Sequence, residues 1–178
     1  DKQPLMDERR SYWFYALPRE ARLIDLKLSF KAAYGDVELG ATKEAGFLGI
    51  RVHPDMNGNA GKGGRMENAY GGIGEAQCWS KKAHWCDYHG IVNGNRVGIA
   101  ALDHPDNLRF PTGWHIRDYG LFAANCWFWD GPYTIHAGHT LTLKYRLIVH
   151  AGDTRAANIA ARFIDYDIPI RAAVCEED

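Results

Sequence analysis

Residues 140–149, TLTLKYRLIV, place an apolar side chain at every second position. Leu141, Leu143, Tyr145, Leu147 and Val149 fall on one side, and Thr142, Lys144, Arg146 and Ile148 on the other. Only an extended strand keeps such a period on one face, because a helix spreads it around its circumference. LIDLKLSFKA repeats the pattern, with Ile24, Leu26, Leu28 and Phe30 opposed to Asp25, Lys27, Ser29 and Lys31. Strands with one apolar and one wet face belong to antiparallel sheets rather than to buried parallel ones. Shorter strands are expected over Tyr12–Leu17, Asp36–Leu39, Gly46–Val52, Ala83–Tyr88 and Tyr133–His136. Asn93-Gly94 separates two apolar runs and supplies the positive φ angles of a two-residue hairpin turn. The glycine-rich stretch from Asp55 to Ala76 reads as a long loop or two tight turns, a kind of segment that often carries function.

One helix is signalled, late in the chain. Asp153 or Thr154 can cap it, Ala157, Ile159, Ala160, Phe163 and Ile164 form its apolar stripe, and Pro169 ends it. The helix is expected to pack across an edge or end of a sheet. Together these elements predict an all-β fold, an antiparallel β-sandwich with one C-terminal helix. With 178 residues and 46% hydrophobic content the chain can build one core, so one domain over 1–178 is expected.

The bulk numbers exclude several classes. A net charge of −1 gives no electrostatic case for nucleic acid or an acidic membrane surface. No apolar run is long enough to span a bilayer. The polar start DKQPLMDERR lacks both an initiator Met and the apolar core of a signal peptide, so a processed molecule or a fragment is expected, and the compartment stays open. GKGGR lacks the remainder of a phosphate-binding loop. Cys78, Cys86, Cys126 and Cys175 lack zinc-ligand spacing. A Cys78–Cys86 disulfide is one reading and buried free thiols the preferred one.

Reactive side chains concentrate between Ala101 and Trp129. Asp103, His104, Asp106, Arg109, His115, Arg117 and Asp118 sit there among Phe110, Trp114, Tyr119 and Phe122, and Pro105 and Pro111 break the stretch into strand, loop and strand. In WHIRDY the alternation puts His115, Arg117 and Tyr119 on one surface, a set suited to a polar ring-shaped ligand such as a sugar or a carboxylate. The competing reading is a sheet face whose His and Arg are bonded to loops. His104, fixed by the X-Pro turn, is either an acid or ligand contact or a turn-stabilising residue. Arg109 is a clamp for a carboxylate or sugar hydroxyls, or else an ion-pair partner of Asp103 or Asp106. His104, His115 and Asp103 could meet as a His-His-carboxylate metal site, but nothing in the spacing demands it, and no metal or cofactor is predicted.

ATKEAGFLGIRV, CWSKKAHWCDYHG, NRVGIAALDHPDNLRFPTGWHIRDYGLFAAN and LTLKYRLIVHAGD together resemble the PmoA-like family, DUF6807, from about Pro4 to Phe163. Members often carry the label methane oxygenase, which does not suit a chain without a spanning segment. The resemblance implies a β-sandwich related to the sugar mutarotases and a chain corresponding to the C-terminal portion of longer members. It also implies association with an N-terminal half, or self-association as a homo-oligomer through an apolar sheet face.

The expected task is therefore carbohydrate-related, either binding or an acid–base transformation of a sugar or sugar acid. Glu44 is the expected base and His104 or His115 the acid. The bare alternative for Lys43 and Glu44 is a surface pair. Lys43, Arg51, Asp87, Arg109, Trp114, Arg117 and Tyr119 are the expected substrate contacts, and the ligand is a small molecule or glycan. Two competing classes are a non-catalytic glycan- or protein-interaction module and a metal-dependent oxygenase.

Overall fold

The computed structural model describes residues 3–16, 21–43, 46–61 and 63–168. Eleven strands form within these residues: β1 (Asp7–Tyr15), β2 (Ala21–Lys31), β3 (Val37–Leu39), β4 (Leu48–Arg51), β5 (Arg65–Asn68), β6 (Trp85–Val92), β7 (Asn95–Asp103), β8 (Gly113–Ile116), β9 (Leu121–Asn125), β10 (Tyr133–Ile135) and β11 (Thr140–Ala151). They make a six-stranded antiparallel sheet in the order β1-β2-β11-β7-β6-β5, a three-stranded sheet β4-β9-β8 and a ribbon β10-β3. The longest alternating segments, β2 and β11, lie side by side at the centre, with Leu143 opposite Leu28 and Tyr145 opposite Leu26.

The two layers meet over one apolar core. The large sheet contributes Leu28, Phe30, Met66, Tyr88, Ala101, Leu143 and Tyr145, and the smaller sheets contribute Leu48, Trp114, Ile116, Phe122 and Ile135. This is a sandwich-like, antiparallel β fold, and the inward residues are the ones that the period-two pattern selects, except that Val149, expected on the apolar face of β11, is 41% exposed where the alternation shifts at Ile148. The Asn93-Gly94 hairpin forms with both residues at positive φ and Val92 paired to Asn95. Cys78, Cys86 and Cys126 are buried free thiols, while Cys175 lies outside the described residues. Among the described residues no helix is long and apolar enough to cross a membrane.

Three local readings change. The glycine-rich segment is not one long loop: it holds β5, an edge strand of the large sheet, and a one-turn helix, α1 (Glu75–Cys78). The late helix, α2, runs Ile159–Asp167 and starts after Asn158, not at Asp153 or Thr154. Asp153 instead accepts a bond from the Ala156 N–H in a preceding turn, and the Thr154 hydroxyl is directed into the sheet, onto Asp87. Finally, α2 covers a face rather than an edge or end. Ile159 and Phe163 pack on Trp85, Ala100, Leu102 and Ile148, which point away from the main core. The "wet" side of β11 is therefore apolar where Ile148 meets the helix.

Asp103 closes the end of β7. It is fully buried, and it accepts bonds from the His104 and Thr112 N–H groups and the Asn107 amide at 3.0, 2.8 and 2.6 Å. Asn107 in turn bonds both the N–H and the carbonyl of Lys144, substituting for a strand partner beyond the end of β7. Burial pushes the Asp103 carboxyl up to about 6, against the lowering effect of its three donors. The folded chain then holds this proton more tightly than the unfolded chain does. The contribution is complete below the ordinary carboxyl value and is lost as pH rises through about 6. Urea unfolding from pH 4 to pH 7 should show Asp103→Asn gaining on the unsubstituted chain by roughly 2 kcal/mol across that window.

Candidate functional site

The large sheet has an inner face against the core and an outer face, and strand register fixes which side chains share the outer one. Arg65 lies opposite His89, Glu67 opposite Asp87, His89 opposite Gly98, and Gly98 opposite His150. Paired residues project to the same side. Arg65, Glu67, Asp87, His89, Arg96 and His150 are thereby gathered near the β5 edge, beside the α2 seat.

At that edge lies a cavity of about 840 Å³, lined by Arg65, Glu67, His89 and Arg96 from the sheet. The start of α1 adds Glu75, and loops add Asp118, Asp153 and Arg155. Gly58, Gly63, Gly64 and Gly74 leave backbone bare around the rim. Gly64 allows a close approach that no side chain permits, since a Cβ there would run into the backbone of Met56. The buried Tyr88 phenol ties the wall together by accepting from the Gly58 N–H (3.1 Å) and donating to the Asp118 carbonyl (3.0 Å).

His89 is only 2% exposed and sits between two charged groups. Its Nε2 is 3.2 Å from Glu67 Oε1, and its Nδ1 is 3.0 Å from an Arg96 Nη1. A guanidinium only donates, so Nδ1 accepts and the ring proton resides on Nε2, directed at Glu67. Arg65 Nε also reaches Glu67 Oε1, at 2.8 Å. Among the described residues the contacts of Glu67 all run through Oε1, which leaves Oε2 for a ligand. Burial alone raises the Glu75 carboxyl, but the Asp118 N–H at 2.7 Å and the Arg117 guanidinium at 3.1 Å outweigh it and hold Glu75 below its ordinary range. The cleft thus combines a fixed imidazole, a half-exposed carboxylate and several guanidiniums. It can grip an anion and accept a proton.

Beneath it lies a second, closed network. Asp87 is fully buried, with Oδ1 3.0 Å from His150 Nε2 and Oδ2 accepting from the Thr154 hydroxyl at 2.6 Å. Gly98 makes room for it, because a Cβ there would collide with the His150 ring and come within 2.9 Å of His89 Cβ. This network fastens the turn before α2 to the sheet.

The residues singled out from sequence are distributed over several places. Glu44 lies outside the described residues. His115 is 1% exposed in the small sheet, where Nδ1 bonds the Lys43 carbonyl (2.7 Å) and Nε2 has no partner among the described residues. The Lys43 carbonyl also receives the Asn125 amide. His104 accepts from the Asp106 N–H and lines a different hollow on the outer face, beside Tyr166. Arg109, at positive φ, bonds the carbonyls of Cys126, Gly131 and Pro132, not Asp103 or Asp106. Trp114 is in the core, its indole N–H on the Ala83 carbonyl. Arg51 and Arg117 both lie over the exposed Tyr119 ring. Asp87 and Arg117 are the two that support the cleft, one beneath it and one behind Glu75. Among the described residues no three His, Cys, Asp or Glu side chains converge to hold a metal ion.

The residues lining the cleft were not those favoured by sequence reasoning. Two signals pointed to them: the Arg65-Met-Glu67 alternation inside the glycine-rich stretch, and the Asp87-Tyr-His89 alternation after Cys86. No curated protein matches the chain. The family model described as a family of unknown function, DUF6807, matches residues 1–164. With nearly its whole described length covered by that model, the chain belongs to the DUF6807 family.

Proposed function

We propose that the cleft at the β5 edge binds a small sugar acid, with Arg96 and Arg155 receiving the carboxylate. The observation carrying this reading is that both guanidiniums line the cavity with no carboxylate partner among the described residues. Arg96's one described side-chain contact is the neutral Nδ1 of His89. A planar guanidinium left with spare donors at a cavity wall suits a carboxylate. Glu67, Asp118 and the backbone exposed at the glycines offer acceptors and donors for hydroxyl groups. Among the described residues no Phe, Tyr or Trp side chain lines the cavity, so a polyhydroxylated ligand fits it better than a flat aromatic one. In an acid–base step Glu67 Oε2 is the proton acceptor, while the His89 N–H and Arg65 steady Oε1.

Calorimetric titration with galacturonate and with galactose tests this. The acid should bind and the neutral sugar should bind at least about tenfold more weakly. Arg155→Ala and Arg96→Ala should each weaken the acid by roughly 10- to 100-fold, the range for losing a charge-assisted hydrogen bond. Equal binding of the two sugars, or indifference to both arginines, removes the proposal.

A further inference from the structure

A different region of the outer face, on the far side of α2, has the makings of a second site. Here β1, β2 and β11 run side by side, and their register stacks outward-facing residues in rows of three. The rows read Arg9, Ser29, Thr142, then Ser11, Lys27, Lys144, then Trp13, Asp25, Arg146. Successive rows are about 7 Å apart along the strands, two residues of rise. Two hollows of about 330 and 490 Å³ lie along these rows and share Trp13 and Lys27, so they form one trough.

The trough breaks rules that a purely structural surface keeps. Trp13 and Tyr15 are 49% and 44% exposed on an edge strand, where their rings contribute little burial. Lys27 lies directly opposite Lys144, and like charges facing each other across strands destabilise a sheet. Asp106 relieves Lys144 at 2.6 Å and Asp7 lies opposite Lys31 across the strands, but among the described residues Lys27 and Arg9 have no carboxylate partner. Asp25 does not relieve them, because both its oxygens are taken by the Arg146 guanidinium at 2.6 and 2.7 Å. Tyr15 donates to the same carboxylate. The Ser29 and Thr142 hydroxyls, 3.4 Å apart, stand between the cationic rows. Local violations of this kind, gathered in one place, mark surfaces kept for binding.

We infer that this trough binds an extended anionic glycan, with Trp13 stacking on a sugar ring and Lys27, Lys31 and Arg9 meeting its carboxylates. An exposed indole supplies a flat apolar platform, regularly spaced cations answer a regularly charged chain, and hydroxyls suit a polyhydroxylated ligand. The inference rests on this face alone and holds whether or not the cleft binds a monomeric acid.

The test is calorimetric titration of the full chain with a short oligogalacturonate, a neutral cello-oligosaccharide of equal length and a single-stranded oligothymidylate. The oligogalacturonate should bind, and binding should weaken as salt is raised. Trp13→Ala and Lys27→Glu should each lower its affinity at least tenfold, while Arg155→Ala, in the cleft, leaves it within twofold. Both trough positions are exposed, and an unchanged circular dichroism spectrum shows that the variants fold. Absence of oligogalacturonate binding overturns the inference, as does loss on Arg155→Ala without loss on Trp13→Ala. Preference for the oligothymidylate overturns it too, and makes the trough a single-stranded nucleic acid surface.

Discussion

Asp87→Ala should lower the free energy of unfolding by about 3–5 kcal/mol, the range for removing one partner of a buried charged network. Asp87 has no exposed surface, and its two oxygens satisfy His150 and the Thr154 hydroxyl. Truncation leaves both groups buried without an acceptor, and water is poorly placed to replace it beneath the α2 seat. The effect should reach the helix. Thr154 begins the turn that leads to Ile159 and Phe163, which cover Trp85 and Ile148. Urea unfolding followed by circular dichroism measures the loss. Hydrogen exchange should show Ile159–Asp167 losing protection first. A loss under about 1 kcal/mol contradicts the role given to this network.

Gly98→Ala should destabilise by about 2–3 kcal/mol, the range for overpacking a filled site. The added methyl has nowhere to go, since the His150 ring lies over Gly98 on one side and His89 Cβ lies 2.9 Å away on the other. Moving His150 breaks its bond to Asp87. Moving His89 disturbs its contacts with Glu67 and Arg96. The substitution therefore links stability to the cleft, and it should weaken galacturonate binding although Gly98 does not line the cavity. Because Gly98 and Asp87 act through one imidazole, their double variant should lose less than the sum of the single losses. Additivity within about 0.5 kcal/mol would show that the two positions are independent.

How far the sequence reveals this molecule depends on whether information is local. Period-two alternation in β2 and β11 is a local signal, and it correctly assigned Leu26, Leu28, Phe30, Leu141, Leu143 and Tyr145 to the core. The Asn93-Gly94 turn is equally local. The β5 strand was hidden because four residues set among glycines are too short to establish a period. The helix start was misplaced because Asp153 and Thr154 do have capping chemistry. In the fold Thr154 uses it on Asp87, far away in sequence. The cleft was hidden for a stronger reason. Its residues come from β5, β6 and β7 and from loops near Gly58, Glu75, Asp118 and Arg155, and only strand register brings them together. Density of reactive residues pointed instead to Ala101–Trp129. Much of that chemistry is engaged internally: Asp103 holds a loop and Arg109 gathers three carbonyls. A guanidinium in contact with backbone carbonyls and one exposed in a cavity look alike in a sequence.

The most direct test of the cleft is a crystal structure of the chain soaked with galacturonate. Ligand density is expected at the β5 edge, with the carboxylate on Arg96 and Arg155 and a hydroxyl on Glu67. Density elsewhere on the chain, or an unchanged cleft at a ligand concentration that saturates binding in solution, would contradict that placement.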